Sequence, residues 1–292
     1  MKIAIHGRSL NEETVPYIQE LLTLLEEKGA ELVVNAGFYN SLKRRNVLLK
    51  EVPAYSTPGE LSSDTDFMIS IGGDGTLLSS VTFVGRKSIP ILGINTGRLG
   101  FLATIQREDA KKAVEALYSG NLKLEERTLI KVISDDDVFN DINFGLNEFT
   151  ILKRDSSSMI VVHSYLNGEY LNSYWADGLI IATPTGSTGY SLSCGGPLVM
   201  PQNQNFILTP VSPHNLNVRP MIVPDSSELS FQIESRSKKI LISLDSRSKS
   251  VPSTISLKVK KEDFTVKLIE LKSYKYLETL RNKLNWGLDL RN

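Results

Sequence analysis

The hydrophobic period of this chain changes once, near residue 122, and that change limits the folds open to it. Ahead of it, strand-like and helix-like stretches alternate. Ile3 to Ile5 reads as a short buried strand. Val15, Ile18, Leu21, Leu22, Leu24 and Leu25 then recur at spacings of three and four, which gathers the leucines on one helix face, and Gly29 ends that helix. Glu31 to Val34 reads as the next strand. After a polar region from Pro53 to Thr65 come a strand at Phe67 to Ile71, a short apolar helix from about Gly75 and a strand at Ile91 to Ile94. A further helix runs from Asp109 through Ala113, Val114 and Leu117 to Gly120. Strands alternating with helices argue for a parallel sheet covered on both faces.

Beyond residue 122 partial alternation of period two takes over, through Leu122, Leu124, Leu129, Ile130, Val132 and Ile133. Asn167-Gly168 lies between two apolar runs and is the strongest short hairpin signal a sequence offers. Leu229 to Ile233, Ile240 to Leu244, Ile255 to Val259 and Phe264 to Leu271 are further strand candidates. This half reads as antiparallel β, a sandwich or a curled sheet. The expected organisation is an α/β domain over residues 1–121 and a β-rich domain over 122–273. A C-terminal helix within about 274–292 is expected to return to the first domain.

Lysine plus arginine equals aspartate plus glutamate at 33 each, so the net charge is zero. Non-specific nucleic-acid binding needs an excess of positive charge to displace counterions, so nucleic acid is not an expected partner. Cys194 is the only cysteine, which rules out an intramolecular disulfide and a thiolate zinc cage. His6, His163 and His214 show no metal-ligand spacing, and no protein metal site is expected. The apolar stretch at the N-terminus is too short for a signal peptide, and no apolar run nears the ~20 residues that cross a bilayer. The expectation is a cytoplasmic protein with no membrane partner.

Two segments carry chemistry. Phe67-Met-Ile-Ser-Ile-Gly-Gly-Asp-Gly-Thr76 sets three glycines and a carboxylate between a strand and a helix, where open α/β sheets bind ligands. Gly72, Gly73 and Gly75 permit positive φ and close approach of a phosphate to main-chain N–H groups, and the helix start adds partial positive charge. Asp74 is out of place beside an anion unless it accepts a hydrogen bond from a hydroxyl. The plainer alternative is that Asp74 caps the helix and the glycines make a turn. Neither the Gly-x-x-x-x-Gly-Lys-Ser/Thr loop nor a Gly-x-Gly-x-x-Gly in its strand–helix context is present.

The second segment is Asp177-Gly-Leu-Ile-Ile-Ala-Thr-Pro-Thr-Gly-Ser-Thr-Gly-Tyr-Ser-Leu-Ser-Cys-Gly-Gly-Pro197. A buried strand, Leu179 to Ala182, runs into a turn rich in proline, glycine and hydroxyls. Thr185, Ser187 and Thr188 stand at an expected helix start, and Tyr190 supplies a flat face. Small hydroxyls with an aromatic wall suit a polar heterocycle. A capped helix after a strand would explain the Ser/Thr cluster but not Asp177.

Gly72-Gly-Asp-Gly-Thr76, Asn147-Glu148, the Asp177 to Pro197 segment and Leu208-Thr-Pro-Val-Ser-Pro-His214 together, in this order, resemble the NAD kinases. The glycine–aspartate loop alone is shared with diacylglycerol kinases, sphingosine kinases and phosphofructokinases; Thr-Pro-Thr-Gly-Ser-Thr-Gly-Tyr is far more specific. The resemblance implies a Rossmann-like N-terminal α/β domain, a C-terminal antiparallel β-sandwich-like domain and an active site in the crevice between them. It implies transfer of the γ-phosphate of ATP to the 2′-hydroxyl on the adenosine ribose of NAD, giving NADP. By the same resemblance Asp74 orients or deprotonates that hydroxyl, and the glycine loop with Thr76 holds phosphates. Asn147 and Glu148 bind the substrate nucleotide at its ribose hydroxyls. Asp177 recognises the nicotinamide carboxamide or ribose, and Thr185, Thr188 and Tyr190 complete the dinucleotide site. Mg²⁺ is expected to arrive with ATP, and the family's habit implies a homo-oligomer, dimer or tetramer. Many relatives carry alanine at the positions of Gly189 and Cys194. His214 is open between a structural role and a ligand contact, and Arg98 is expected at the surface. A lipid kinase and a non-catalytic NAD sensor are the alternatives. The first should show an acyl pocket, and the second should lack turnover.

Overall fold

The computed structural model describes residues 1–8, 10–47, 51–97, 100–154 and 158–286. Arg98 and the last six residues of the expected 274–292 segment lie outside the described residues. The chain forms two compact units, one of Met1–Glu125 with Val266–Asn292 and one of Glu126–Thr265.

The first unit is an α/β layer structure built on six short strands that pair in parallel. Its strands are β1 (Lys2–Gly7), β2 (Glu31–Asn35), β3 (Ala54–Tyr55), β4 (Phe67–Ile71), β5 (Ile91–Asn95) and β6 (Ile105–Gln106). They order as β3-β2-β1-β4-β5, with β6 and residues 268–269 both pairing β5. Helices α1 (Val15–Glu27), α2 (Ala36–Arg44), α3 (Asp74–Val84) and α4 (Ala110–Ser119) connect them, and a final helix spans Tyr276–Leu284. The leucine spacing read from the sequence is the cause of α1's burial: Ile18, Leu21, Leu22 and Leu25 pack with Ile3, Ile5, Val34, Ile69 and Leu92 of the sheet. Gly120, at φ 68°, ends α4 in a left-handed cap that only glycine adopts without strain. The order reverses at β1, which has β2 on one side and β4 on the other. That switch point is where such sheets leave a crevice beyond the carboxyl ends of their strands.

The second unit is an antiparallel sandwich. It contains most of β7 (Leu122–Ser134), then β8 (Phe144–Gly145), β9 (Glu148–Lys153), β10 (Ile160–Leu166), β11 (Glu169–Ala176) and β12 (Gly178–Ala182). The four-residue helix α5 (Tyr190–Ser193) follows. β13 (Asn205–Val211), β14 (Met221–Pro224), β15 (Leu229–Glu234), β16 (Lys239–Leu244), β17 (Arg247–Pro252) and the first part of β18 (Leu257–Leu271) complete it. One sheet runs β14-β13-β12-β9-β16-β17, and β11-β10-β15-β18 belong to the other. Phe149, Ile151, Leu179, Ile181, Phe206 and Ile242 from the first meet Val162, Leu229, Phe231 and Leu257 from the second in one apolar core. The hairpin read at Asn167-Gly168 joins β10 to β11, with both residues at positive φ, 53° and 86°. Among the described residues no helix is long and apolar enough to cross a membrane.

Candidate functional site

In the first unit the loop after β4 turns sharply. Gly72 sits at φ 152°, and a Cβ there would collide with the side chain of Thr76. Gly73 is the N-cap of α3, and its carbonyl accepts from the Thr76 and Leu77 N–H groups at 2.9 and 3.2 Å. Gly73 and Gly75 are exposed, with nothing within 4 Å of an added Cβ, so the loop offers main chain to an incoming group on that side. Thr76 is buried beneath the loop and shapes it from below.

Asp74 is the first residue of α3, one position ahead of the start expected at Gly75, and the N-cap position belongs to Gly73. The cap alternative therefore does not describe it. Its Oδ2 accepts from the Phe101 N–H at 2.8 Å, and its Oδ1 from those of Leu102 and Ala103 at 3.1 and 3.0 Å. A Cβ on Gly100 would overlap this carboxylate, so glycine is required there. An ionised carboxylate has about four acceptor sites, so three backbone donors leave roughly one for a further hydrogen bond. Across the switch point, the Arg8 guanidinium beyond β1 reaches the Gly75 carbonyl at 3.5 Å. His6 lies below, between Tyr55 Oη at 3.3 Å and Ser79 Oγ of α3 at 3.1 Å. Burial, with Arg8 second, depresses its imidazole to about 4.

In the second unit, pairing of β12 with β9 sets Ala182 opposite Glu148 and so brings the hydroxyl-rich turn onto Asn147-Glu148. Thr183 Oγ1 donates to the Leu146 carbonyl at 2.6 Å, and the Thr183 N–H to that of Asn147 at 2.8 Å. A Cβ on Gly186 would strike the Asn147 backbone, and one on Gly189 would lie 3.0 Å from Glu148 Oε2. Residues Thr185–Thr188 form a single 3-10 turn, followed by only four residues of helix in α5. The helix expected from the sequence is therefore brief, because the turn packs on Asn147 instead of continuing.

Asn147 Oδ1 and Glu148 Oε2 are both buried without a hydrogen-bond partner. Burial, with the neighbouring Asp245 second, pushes the Glu148 carboxyl up to about 8 against the pull of a hydrogen bond from the Tyr190 N–H. At neutral pH Glu148 is then largely protonated and can donate as well as accept. Tyr190 is exposed, and burial together with Cys194 and Asp177 raises its phenol. Asp177 pairs with Lys153 at 2.6 Å. Thr188 Oγ1 donates to the Thr185 carbonyl at 3.2 Å, and Thr185 is buried beside Arg127. These contacts turn Thr185 and Thr188 toward the fold of the turn itself. Asn147, Glu148, Gly189 and Tyr190 are thus brought together, with Asp177 beside Tyr190. His214 is elsewhere in this unit: its N–H donates to the Trp175 carbonyl at 2.8 Å, and it borders a surface depression with Ser173, Asn215 and Asn217. Asp245 and Lys153 carry no signal in the sequence, where each is an ordinary residue in no recognisable spacing.

Comparison with known proteins follows this division. Residues 3–122 match the ATP-NAD kinase N-terminal domain and residues 146–271 the ATP-NAD kinase C-terminal domain. An NAD kinase of Cytophaga hutchinsonii is 59% identical over 295 residues, covering 100% of both chains. An NAD kinase from Archaeoglobus fulgidus, crystallised with ATP, has a TM-score of 0.74 at 27% identity, covering 98% of this chain and 99% of that one. Yeast NADH kinase crystallised with NADH has a TM-score of 0.86 at 23% identity, covering 100% and 89%, and speaks to fold alone.

Proposed function

The chain belongs to the ATP-NAD kinase family, and on that premise we propose how its residues divide the work of making NADP. The enzyme is a phosphotransferase that moves the γ-phosphate of ATP to the 2′-hydroxyl of the adenosine ribose of NAD. Full-length kinship with NAD kinases leaves the lipid-kinase and sensor alternatives without support.

The observation that carries the site is the pair of buried, unpartnered atoms Asn147 Oδ1 and Glu148 Oε2. Buried polar atoms ordinarily have partners, and two neighbouring exceptions suit a ligand with vicinal hydroxyls. We assign them to the ribose hydroxyls, with protonated Glu148 able to donate and Asn147 to accept. Tyr190 supplies an exposed ring for a flat heterocycle, and Asp177, oriented by Lys153, supplies an acceptor for the carboxamide or ribose. Thr185 and Thr188 support this surface by holding the turn.

Asp74 is the catalytic carboxylate of the reading. With three acceptor sites engaged by the 101–103 backbone, its remaining one accepts the 2′-hydroxyl and sets its line of attack. Phosphoryl transfer passes through a loose transition state, so alignment outweighs base strength, and the proton leaves late. The Gly73 and Gly75 main chain and the start of α3 face the phosphates of ATP. Mg²⁺ comes as part of the ATP substrate and offsets its charge; among the described residues no cluster of three His, Cys, Asp or Glu could hold a metal. We further read the protein as a cytoplasmic homo-oligomer, a dimer or tetramer, with no nucleic-acid or membrane partner. Exposed Trp175, Tyr170 and Leu216 support self-association, and light scattering after gel filtration tests it. The site is tested by Asn147→Ala and Glu148→Gln, each of which should raise KM for NAD and leave KM for ATP near its original value. Unchanged KM for NAD in both would overturn the assignment.

A further inference from the structure

The two-residue turn between β16 and β17 sits directly under Asn147 and Glu148. Its first residue, Asp245, holds φ at 50°, the left-handed conformation that two-residue hairpin turns use and that aspartate tolerates. Asp245 Oδ2 accepts from the Leu146 N–H at 2.9 Å, and Oδ1 from the N–H groups of Asn147 at 2.8 Å and Glu148 at 3.2 Å. The Asp245 N–H returns a bond to the Glu148 carbonyl at 2.9 Å. Two residues on, the Arg247 guanidinium donates to the Ile142 and Phe144 carbonyls through separate nitrogens. A Cβ on Gly145 would lie 2.8 Å from Leu244 Cδ1 and 3.0 Å from either oxygen of the Asp245 carboxylate, so glycine lets the end of β8 pass close to this turn.

We infer that Asp245 is a positioning residue for the reaction: its carboxylate gathers three consecutive N–H groups and thereby sets the direction in which the Asn147 and Glu148 side chains meet the substrate ribose. The inference rests on the reading that Asn147 and Glu148 bind NAD. The geometry argues for it in two ways. Three consecutive amides converging on one carboxylate fix the orientation of both residues, since each peptide plane is tied. Thr183 holds the Leu146 and Asn147 carbonyls from the β12 side, and Asp245 holds the N–H groups of the same two residues and of Glu148. The stretch just ahead of β9 is thus fixed on both edges, and Asp245 supplies the edge that no strand pairing covers.

Asp245 also has an electrical effect. Its negative charge is the second reason, after burial, that Glu148 keeps its proton, and the Tyr190 N–H from α5 opposes both. Arg247 in turn stabilises the charge of Asp245, whose carboxyl burial raises. Removing that charge eases the ionisation of Glu148 even where its burial is unchanged, which amide exchange of β9 reports independently.

Asp245→Asn keeps the size of the side chain. Its carbonyl can still accept from Asn147 and Glu148, while its NH₂ faces the Leu146 N–H, donor against donor. The expected result is KM for NAD raised about tenfold, the scale of one lost charge-assisted hydrogen bond, with KM for ATP altered less than about twofold. The pH at which NAD binding changes should move down by about one unit, as expected when a neighbouring negative charge is removed. Asn147→Ala is run beside it. If Asn147→Ala raises KM for NAD while Asp245→Asn leaves both KM and the pH profile untouched, the positioning role is overturned and the ribose site stands. If neither variant moves KM for NAD, both fall. Should Asp245→Asn fail to fold, Asp245→Gly decides. Glycine keeps the left-handed turn and removes the acceptor of the Leu146, Asn147 and Glu148 N–H groups. A rise in KM for NAD supports the inference, and no rise overturns it.

Discussion

Glu148 gives the second unit a pH dependence whose sign and size follow from its surroundings. Burial and the nearby Asp245 raise its carboxyl from 4.5 to about 8. Between those values the folded chain keeps a proton that the unfolded chain has released. The folded state then binds more protons, so stability falls as pH rises through this window. At about 1.4 kcal/mol per pH unit, the whole displacement corresponds to roughly 3–5 kcal/mol. Glu148→Gln has the neutral form's shape at every pH and lacks this slope. Amide exchange of β9 and β12 peptides, read by mass spectrometry, reports the opening of this unit alone. Near pH 4.5 wild type and variant should differ by a constant amount. Toward pH 8 the wild type should lose protection relative to the variant by up to about a thousandfold, the factor equivalent to roughly 4 kcal/mol. Profiles that stay parallel from pH 4.5 to 8 would refute the argument, since Glu148 would then ionise at its ordinary value.

His6 gives the first unit the opposite slope. Its imidazole falls from 6.5 to about 4, so the unfolded state binds more protons in that window and stability present above 6.5 is lost toward pH 4. The loss should reach about 3 kcal/mol in exchange of β1 and β4 peptides and vanish in His6→Gln. Gly100→Ala places a methyl where the Asp74 carboxylate lies; turnover should drop by about 10² or more while the circular dichroism of the sheets is retained. Asp177→Asn and Lys153→Met should each raise KM for NAD by about threefold to tenfold, as loss of a charge-assisted contact does, with kcat little changed in steady-state assays.

Local signals were readable where a local cause exists. The α1 leucines, the Asn167-Gly168 hairpin and the glycine loop after β4 each depend on residues close in sequence, and each stands where the spacing put it. The short helix α2 was not seen, because its buried residues are only Phe38, Ser41 and Leu42. The partners of the site were illegible for a different reason. Asp74 is held by backbone N–H groups at 101–103, and Asn147-Glu148 by a carboxylate at 245. A main-chain donor leaves no mark on residue type, and the acceptor in each case is a single aspartate with many plausible uses. The resemblance could point to Asp74 and to Asn147-Glu148, but only the folded chain reveals what fixes them. It also changes the meaning of an Asp74 substitution. Asparagine there disturbs the Phe101 contact as well as any hydroxyl contact, so lost turnover must be read beside retained NAD binding.

The most direct test is NADP formation by the purified protein with NAD, ATP and Mg²⁺, coupled to an NADP-specific dehydrogenase, in wild type and Asp74→Asn. The account predicts ATP-dependent product in the wild type. It predicts a fall of about 10²–10⁴ in kcat for the variant, the range for a positioned general base, with NAD affinity preserved. Near-normal kcat in Asp74→Asn would contradict the role of that carboxylate, and absence of ATP-dependent product from the wild type would contradict the reaction itself.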